Sequence, residues 1–269
     1  VHSLPVALAV NDDGIDSVGL RVLVRELSER GFRVYVCTPL TQMSGLSKSV
    51  SFRRFGRNNR VEMFRVNIEG AVEAWGLNAT PAESVLVGVE ILMREKPDIV
   101  VSGVNIGPNL GLDDFLTSGT IGAALEAAIH GIPGLAVSLA YNKASREDEF
   151  RLAARIASII AQRFIKYNFK NINLISVNVP LNPVGVMVTR LSINNYKLKY
   201  VIEKSSIRFI EDSLEERYWD RTLKSDVWAV MNNYISVTPI NIYSIIDSSS
   251  QLLEDFEEII SDIRGILRE

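Results

Sequence analysis

The feature that most constrains this chain is a series of short, uninterrupted apolar runs, rich in β-branched residues and separated by stretches of helical periodicity. The runs occupy residues 5–10, 33–38, 99–101, 135–139 and 172–179. A strand without polar alternation has both faces buried, which requires helices on each side of a parallel sheet. The intervening segments supply those helices. Leu20, Leu23, Val24 and Leu27 recur at helical spacing until Gly31. Thr80-Pro81-Ala82-Glu83 combines a capping Thr, a Pro at the first helical position and a Glu placed to close a capping box, predicting a helix to about residue 94. An alanine-rich helix is expected over 118–130, stopped by Gly131 and Pro133, and an amphipathic one over 147–167. Residues 61–75 read as a hairpin turning at Glu69-Gly70, and 41–49 and 103–117 as loops. The expected class is α/β, with a mainly parallel sheet in three layers.

After about residue 190 the pattern changes to charged, β-rich segments at 196–202 and 227–239, followed by a terminal helix at 250–267. The expected division is a core over 1–190 and an extension over 191–269, either an appendage or an oligomerisation arm. Composition enters as exclusion. With 269 residues, 47% of them hydrophobic, the chain has ample material for a core, and its net charge of -3 lacks the basic excess of a nucleic-acid scaffold. A single cysteine, Cys37, forbids an internal disulfide or a cysteine zinc site. No apolar run approaches the ~20 residues of a membrane-spanning helix. Residues 1–10 read as a buried strand rather than a signal peptide, so a cytoplasmic location is expected.

In a parallel sheet the functional loops lie beyond the carboxyl ends of the strands. Asn11-Asp12-Asp13-Gly14 follows the first strand. Adjacent carboxylates repel unless a cation lies between them, and hard oxygen donors suit Mg²⁺, Mn²⁺ or Ca²⁺. The same residues are also standard β-turn formers. Ser44-Gly45, after the second strand, offers a metal ligand or a phosphate contact, or is simply a surface loop. The third loop, 102–111, leads to Ser118-Gly119-Thr120 at a helix start. Free N–H groups and the positive end of the helix dipole attract an anion there, although a Ser in that position is more commonly an ordinary cap. An acidic pair and a phosphate cradle on neighbouring strand ends together suit metal-assisted phosphoryl chemistry.

Walker and dinucleotide-binding glycine signatures are missing. Two histidines, His2 and His130, are too few for a histidine metal cluster, and His130 suits a helix C-cap. Cys37 lies within a strand pattern, and Trp75, Trp228 and Tyr234 read as packing residues.

These motifs, taken together and in order, resemble the stationary-phase survival protein (SurE) family. The residues that carry the resemblance are 10–15, 102–111 and 118–124, supported by Gln42-Met43-Ser44-Gly45, Thr80-Pro81-Ala82, Gly131-Ile132-Pro133, Asn178-Val179-Pro180, Asp226-Val227 and Ser236-Val237-Thr238-Pro239. The resemblance implies a Rossmann-like core and a divalent-metal-dependent phosphatase acting on nucleoside monophosphates. It also implies a C-terminal extension exchanged in a homodimer, sometimes paired into tetramers. Position by position, it implies Asp12, Asp13, Ser44 and Asn105 as metal ligands, with Asn109, Ser118, Gly119 and Thr120 on the phosphate. The chain departs from the family pattern at Leu40-Thr41-Gln42-Met43, at Lys48 where a His is usual, at Thr117 where an aromatic is usual, and in a slightly longer 111–118 segment. Those are loops where a nucleoside would be held.

The implied mechanism is attack by a metal-activated water, with Asp12 or Asp13 assisting as base. Ser44 or Ser118 as a phosphoserine nucleophile ranks lower, because neither has an obvious histidine or lysine partner in sequence. The rival readings are a non-catalytic nucleotide- or phosphate-binding oligomer, or a phospho-receiver domain. The latter needs an acceptor Asp at the end of a central strand, whereas Asp98 lies at a strand's start.

Overall fold

The computed structural model describes residues 4–51, 60–193, 199–210, 218 and 220–245. Its main sheet has nine strands, β1 (Val6–Val10), β2 (Arg33–Pro39), β3 (Met63–Val66), β4 (Ala71–Leu77), β5 (Ile99–Ile106), β6 (Gly134–Leu139), β7 (Leu174–Val179), β8 (Gly185–Val188) and β11 (Tyr234–Ile240). Their order is β3-β4-β2-β1-β5-β6-β7-β11-β8. From β4 across to β7 every neighbouring pair is parallel, and the sheet is closed at its flanks by antiparallel β3 on β4 and β11 on β7. A separate hairpin, β9 (Tyr200–Glu203) and β10 (Ser206–Phe209), lies apart from it.

Three layers follow from the side chains of the central strands. All of β1 is buried. Its Ala7 and Ala9 share a core with α1 (Val18–Glu29) and α5 (Glu147–Tyr167), whereas Val6, Leu8 and Val10 share one with α2 (Pro81–Val87) and α4 (Gly119–Ile129). β5 divides in the same way, with Ile99 and Val101 on the first face and Val100 on the second. The strand period of two thus feeds both helical layers. Helix starts carry the expected caps. Ser17 accepts from the Leu20 N–H at α1, and at α2 the Thr80 and Glu83 side chains each accept the other's backbone N–H, the reciprocal capping box. Helix α2 passes into a π turn over Gly88–Leu92, ending slightly before residue 94.

Two expectations need correction. The 99–101 run is only the start of β5, which continues to Ile106 with a register irregularity between Ser102 and Asn105. Gly103 and Asn105 look like loop residues in sequence, but pairing with β6 at Asn105 and Ile106 extends the strand past them, beyond the last β1 pairing at Ser102. Gly103 has φ +139, and a Cβ there would lie 2.3 Å from the Val137 carbonyl oxygen, so glycine admits the close approach of β6. Residues 111–117 are a helix, α3 (Gly111–Thr117), rather than part of a loop. Its N-cap, Leu110, makes no side-chain cap. Asp226, far along the chain, accepts the Gly111 N–H at 2.8 Å instead.

Beyond residue 190, segment 227–239 is helix then strand: α6 (Asp226–Met231), capped by Ser225, precedes β11. Because β11 lies between β7 and β8, the chain returns to the main sheet after the expected boundary at 190. Part of the 196–202 segment and all of the 250–267 helix fall outside the described residues. Among the described residues no helix is long and apolar enough to cross a membrane.

Candidate functional site

A cleft of about 300 Å³ opens at the carboxyl ends of β1 and β5, beside the N-terminus of α4. Asp12, Ser44, Asn105, Asn109 and Ser118 line it, joined by Asp114 on α3, Asn142 after β6 and Tyr218 from the C-terminal region. The sheet explains the convergence. Parallel neighbours end on the same side, so the turn after β1 and the end of β5 meet, and α4 aims its first turn at both.

The Asp12-Asp13 turn is held by its own backbone and by α4. Asn11 Oδ1 accepts the Gly14 N–H at 3.2 Å, and the Thr38 hydroxyl donates to Asn11 Oδ1 at 2.8 Å. These contacts give the Asn11 turn its tight geometry; Gly14, at φ +96, completes it. Asp12 is 3% exposed and accepts the Thr120 hydroxyl at 2.5 Å. Its carboxylate lies directly over Gly119, where a Cβ would come within 2.8 Å of Asp12 Cβ and 2.9 Å of Oδ2. Asp13 accepts the Ile106 N–H at 3.2 Å. Burial raises the Asp12 pKa above the usual carboxylate range, although the Thr120 hydrogen bond opposes the shift. Burial first, and then the neighbouring charge of Asp12, pushes Asp13 up to about 7.

Asn105 donates its amide to the Gly107 carbonyl at 2.8 Å, leaving its carbonyl oxygen as the atom suited to a cation. Ser44 is exposed on the 41–49 loop, where the Gln42 amide donates to its hydroxyl at 3.1 Å. That loop is tethered at both ends of the site. The Met43 N–H donates to the Asp12 carbonyl at 2.7 Å, and the Ser47 N–H donates to the Thr117 carbonyl at 2.9 Å. Lys48 forms an ion pair with the buried Glu126 of α4, which also pairs with His130 at 3.1 Å.

Ser118 is the N-cap of α4, its hydroxyl accepting the Ile121 N–H at 3.2 Å. Asn109 is oriented from three sides: its amide donates to Ser138 Oγ at 2.8 Å, its N–H to Asn178 Oδ1 at 2.8 Å, and its carbonyl accepts from Asn178 Nδ2 at 3.0 Å. Thr120 and Gly119 are buried at the helix start and do not line the cleft; the Thr120 hydroxyl is directed to Asp12. Asp13 likewise lies beside the cleft rather than on its wall.

The structure adds residues whose positions in sequence carry no local signal. The Tyr218 hydroxyl donates to Asp114 Oδ2, and both side chains are buried against the cleft. Asp226 accepts from Gly111, Ser192 and Val227, joining α3 to the C-terminal region. Asn178 and Asp226 belong to motifs noted above, but only the fold shows what they hold. Cys37 is fully buried, and burial pushes its thiol far up. Trp75 stacks on Tyr35, and Trp228 on Tyr234, as packing residues.

The similarities to known proteins agree with this geometry. The family model described as Survival protein SurE matches residues 7–198. A protein named 5'-nucleotidase SurE from Archaeoglobus fulgidus is 33% identical over 249 residues, covering 87% of this chain and 90% of its own length. One of the same name from Desulforudis audaxviator is 35% identical over 247 residues, covering 87% and 91%. The crystal structure of the SurE protein from Aquifex aeolicus superposes with a TM-score of 0.74 at 30% identity, covering 95% of this chain and 99% of that one. With a family model matched over residues 7–198 and relatives similar over most of its length, the chain belongs to the Survival protein SurE family.

Proposed function

We propose that this chain is a nucleotidase that hydrolyses nucleoside monophosphates in the cytoplasm, with a divalent cation, Mg²⁺ or Mn²⁺, held by Asp12, Asp13, Ser44 and Asn105. The observation that carries the reading is the acidic pair itself, two adjacent carboxylates beside the first turn of a helix, Asp12 buried and Asp13 half-buried. Burial and mutual repulsion make both costly to ionise, and a cation between them offsets that cost. The donor set fits a hard cation: two carboxylates, an amide oxygen and a hydroxyl, with no group of three His, Cys, Asp or Glu among the described residues. When bound, such a cation lowers the pKa of water and offsets charge on phosphoryl oxygens.

The chain's own residues do the rest. Ser118, on the cleft wall, and the positive end of α4 behind it favour the negative charge of the phosphate, while Gly119 and Thr120 serve it from beneath by seating Asp12 against the helix start. Asn109, fixed by Ser138 and Asn178, turns the group toward the acidic pair. Asp12, held by Thr120, and Asp13 accept the proton that the attacking water gives up. The names of the relatives from Archaeoglobus fulgidus and Desulforudis audaxviator supply the substrate class. A homodimer, able to pair into a tetramer, is part of the reading. Its support is apolar surface left exposed by Val186 and Val188 on β8 and by Ile202, Ile207 and Phe209 on the β9–β10 hairpin.

The experiment is phosphate release from a nucleoside 5'-monophosphate and from an aryl phosphate, with Mg²⁺ or Mn²⁺ and then with chelator. Turnover should require the cation, and Asp13→Asn should lower it about a thousandfold, roughly 4 kcal/mol of transition-state stabilisation, while the variant keeps the wild-type circular dichroism spectrum. An active Asp13→Asn enzyme contradicts the reading. Phosphate binding without turnover under any cation instead supports the non-catalytic module.

A further inference from the structure

We infer that Asp114 is the general acid that protonates the leaving oxygen, and that Tyr218 is the residue that positions it. The inference rests on the phosphomonoesterase reading above. A nucleoside leaves as an alkoxide, a poor leaving group, so the ester oxygen needs a proton as its bond to phosphorus breaks. Among the described residues, the cleft is lined by no histidine, lysine, arginine or cysteine. Asp12 lies on the cation side, held by Thr120. The remaining carboxyl on the wall is Asp114, in the first turn of α3 and 6% exposed. The Tyr218 hydroxyl, on a side chain 1% exposed, donates to Asp114 Oδ2 and holds the carboxyl against the cleft.

The segment that carries Asp114 ends at the phosphate cradle, since the Ser118 N–H donates to the Asp114 carbonyl at 2.9 Å. One turn of helix therefore places the carboxyl and Ser118 on the same wall. In the reaction, the water oxygen bonds to phosphorus while one of its protons passes to the acidic pair. The phosphorus–ester oxygen bond breaks, and the Asp114 proton goes to the departing oxygen to give the alcohol. The proton taken by the acidic pair leaves to solvent, Asp114 regains one, and alcohol and phosphate are the products.

The test compares leaving groups. Asp114→Asn is assayed on 4-nitrophenyl phosphate, whose phenolate leaves without help, and on an alkyl phosphate such as glycerol 2-phosphate, whose alkoxide does not. The expected result is a fall of kcat on the alkyl ester of about 100-fold or more, with less than about a tenfold fall on the aryl ester. Tyr218→Phe should lower the alkyl-ester kcat by a smaller factor in the same direction, leaving KM for both esters near the wild-type value. Equal falls on both esters would overturn the assignment and make the pair a purely structural tether. Should Asp114→Asn fail to fold, the wild-type enzyme carries the test through a series of substituted phenyl and alkyl phosphates. A shallow dependence of kcat on leaving-group pKa supports protonation, and a steep one contradicts it. A wild-type protein that cleaves neither ester with Mg²⁺ or Mn²⁺ would overturn the phosphatase reading itself, and this assignment with it.

Discussion

The cleft has two walls of different construction. One is made by the β1 turn, the end of β5 and the start of α4, all elements of the parallel core. Asp12, Asp13, Asn105 and Ser118 are set there by strand pairing and by hydrogen bonds made wholly within the core. The other wall depends on residues after 190. Tyr218 reaches back to Asp114, and Asp226 reaches back to the backbone of α3, across 104 and 115 residues of sequence. The core wall places its groups by packing, which is cheap to specify because both faces of each strand are already buried. The second wall places its groups by hydrogen bonds to residues after 190, so it depends on the C-terminal region having docked. The consequence is a division of labour: changes in the first wall should strike chemistry, whereas in the second wall the Asp226 contacts should strike stability first and Asp114 alone the leaving-group step.

The largest effect expected from a substitution that breaks this division is at Gly119. A Cβ there would overlap the Asp12 carboxylate, which is part of the core wall and cannot move without losing the Thr120 hydrogen bond. Gly119→Ala should lower kcat/KM about 100-fold, near 2.7 kcal/mol. Its melting temperature should fall only modestly, because the helix preference of Ala over Gly offsets part of the buried overlap. A fully active Gly119→Ala enzyme would show that Asp12 has room to move, contrary to the packed geometry.

The second wall gives the next effect. Asp226→Ala strips acceptors from the Gly111, Ser192 and Val227 N–H groups. Leaving such groups unsatisfied should destabilise the fold by about 2 kcal/mol. Equilibrium urea unfolding measures it, and Asp226→Asn should recover part of the loss. If Asp226→Ala lowered kcat sharply while leaving stability untouched, the division between the walls would fail.

The smallest effect sharpens the first wall's electrostatics. Burial first, and then the charge of Asp12, raises the Asp13 pKa in the folded chain from the usual carboxylate range to about 7. A carboxyl with a raised folded pKa favours folding while it is protonated, and that contribution is lost as pH rises through the folded pKa. The metal-free protein should therefore lose roughly 1.4 kcal/mol between pH 6 and 8, a fall in Tm of about 3–5 °C. Added Mn²⁺ should reverse the trend, with apparent affinity increasing with pH through the same range, because the cation competes with the proton. Thermal shift with and without chelator measures both slopes, and a metal-free Tm that rises over this interval would contradict the account.

The same contrast explains what could be read in advance. The central strands were legible because continuous apolar residues admit one interpretation, burial on two faces, and α2 was legible because its capping box is complete within four residues. The β1 turn and the Ser118 cap of α4 were legible for the same local reason. Helix α3 was hidden because its first N–H is satisfied by Asp226 rather than by a neighbour, and the extension of β5 past Gly103 was hidden because pairing with β6 overrides loop-forming residues. Segment 227–239 shows the same limit. Val227 and Val230 suggest a strand, but the Ser225 cap turns the first part into α6. Tyr218 carried no signal at all in sequence; only the folded chain brings its hydroxyl to Asp114.

The central claim is that a divalent cation sits within the core wall and makes the cleft a phosphatase. Its most direct test is a crystal of the protein grown with Mn²⁺, with anomalous diffraction collected at the manganese edge. The account predicts one strong peak among Asp12, Asp13, Ser44 and Asn105, lost in Asp13→Asn. A peak elsewhere, or none at the acidic pair in crystals of an enzyme that hydrolyses phosphomonoesters, would contradict it.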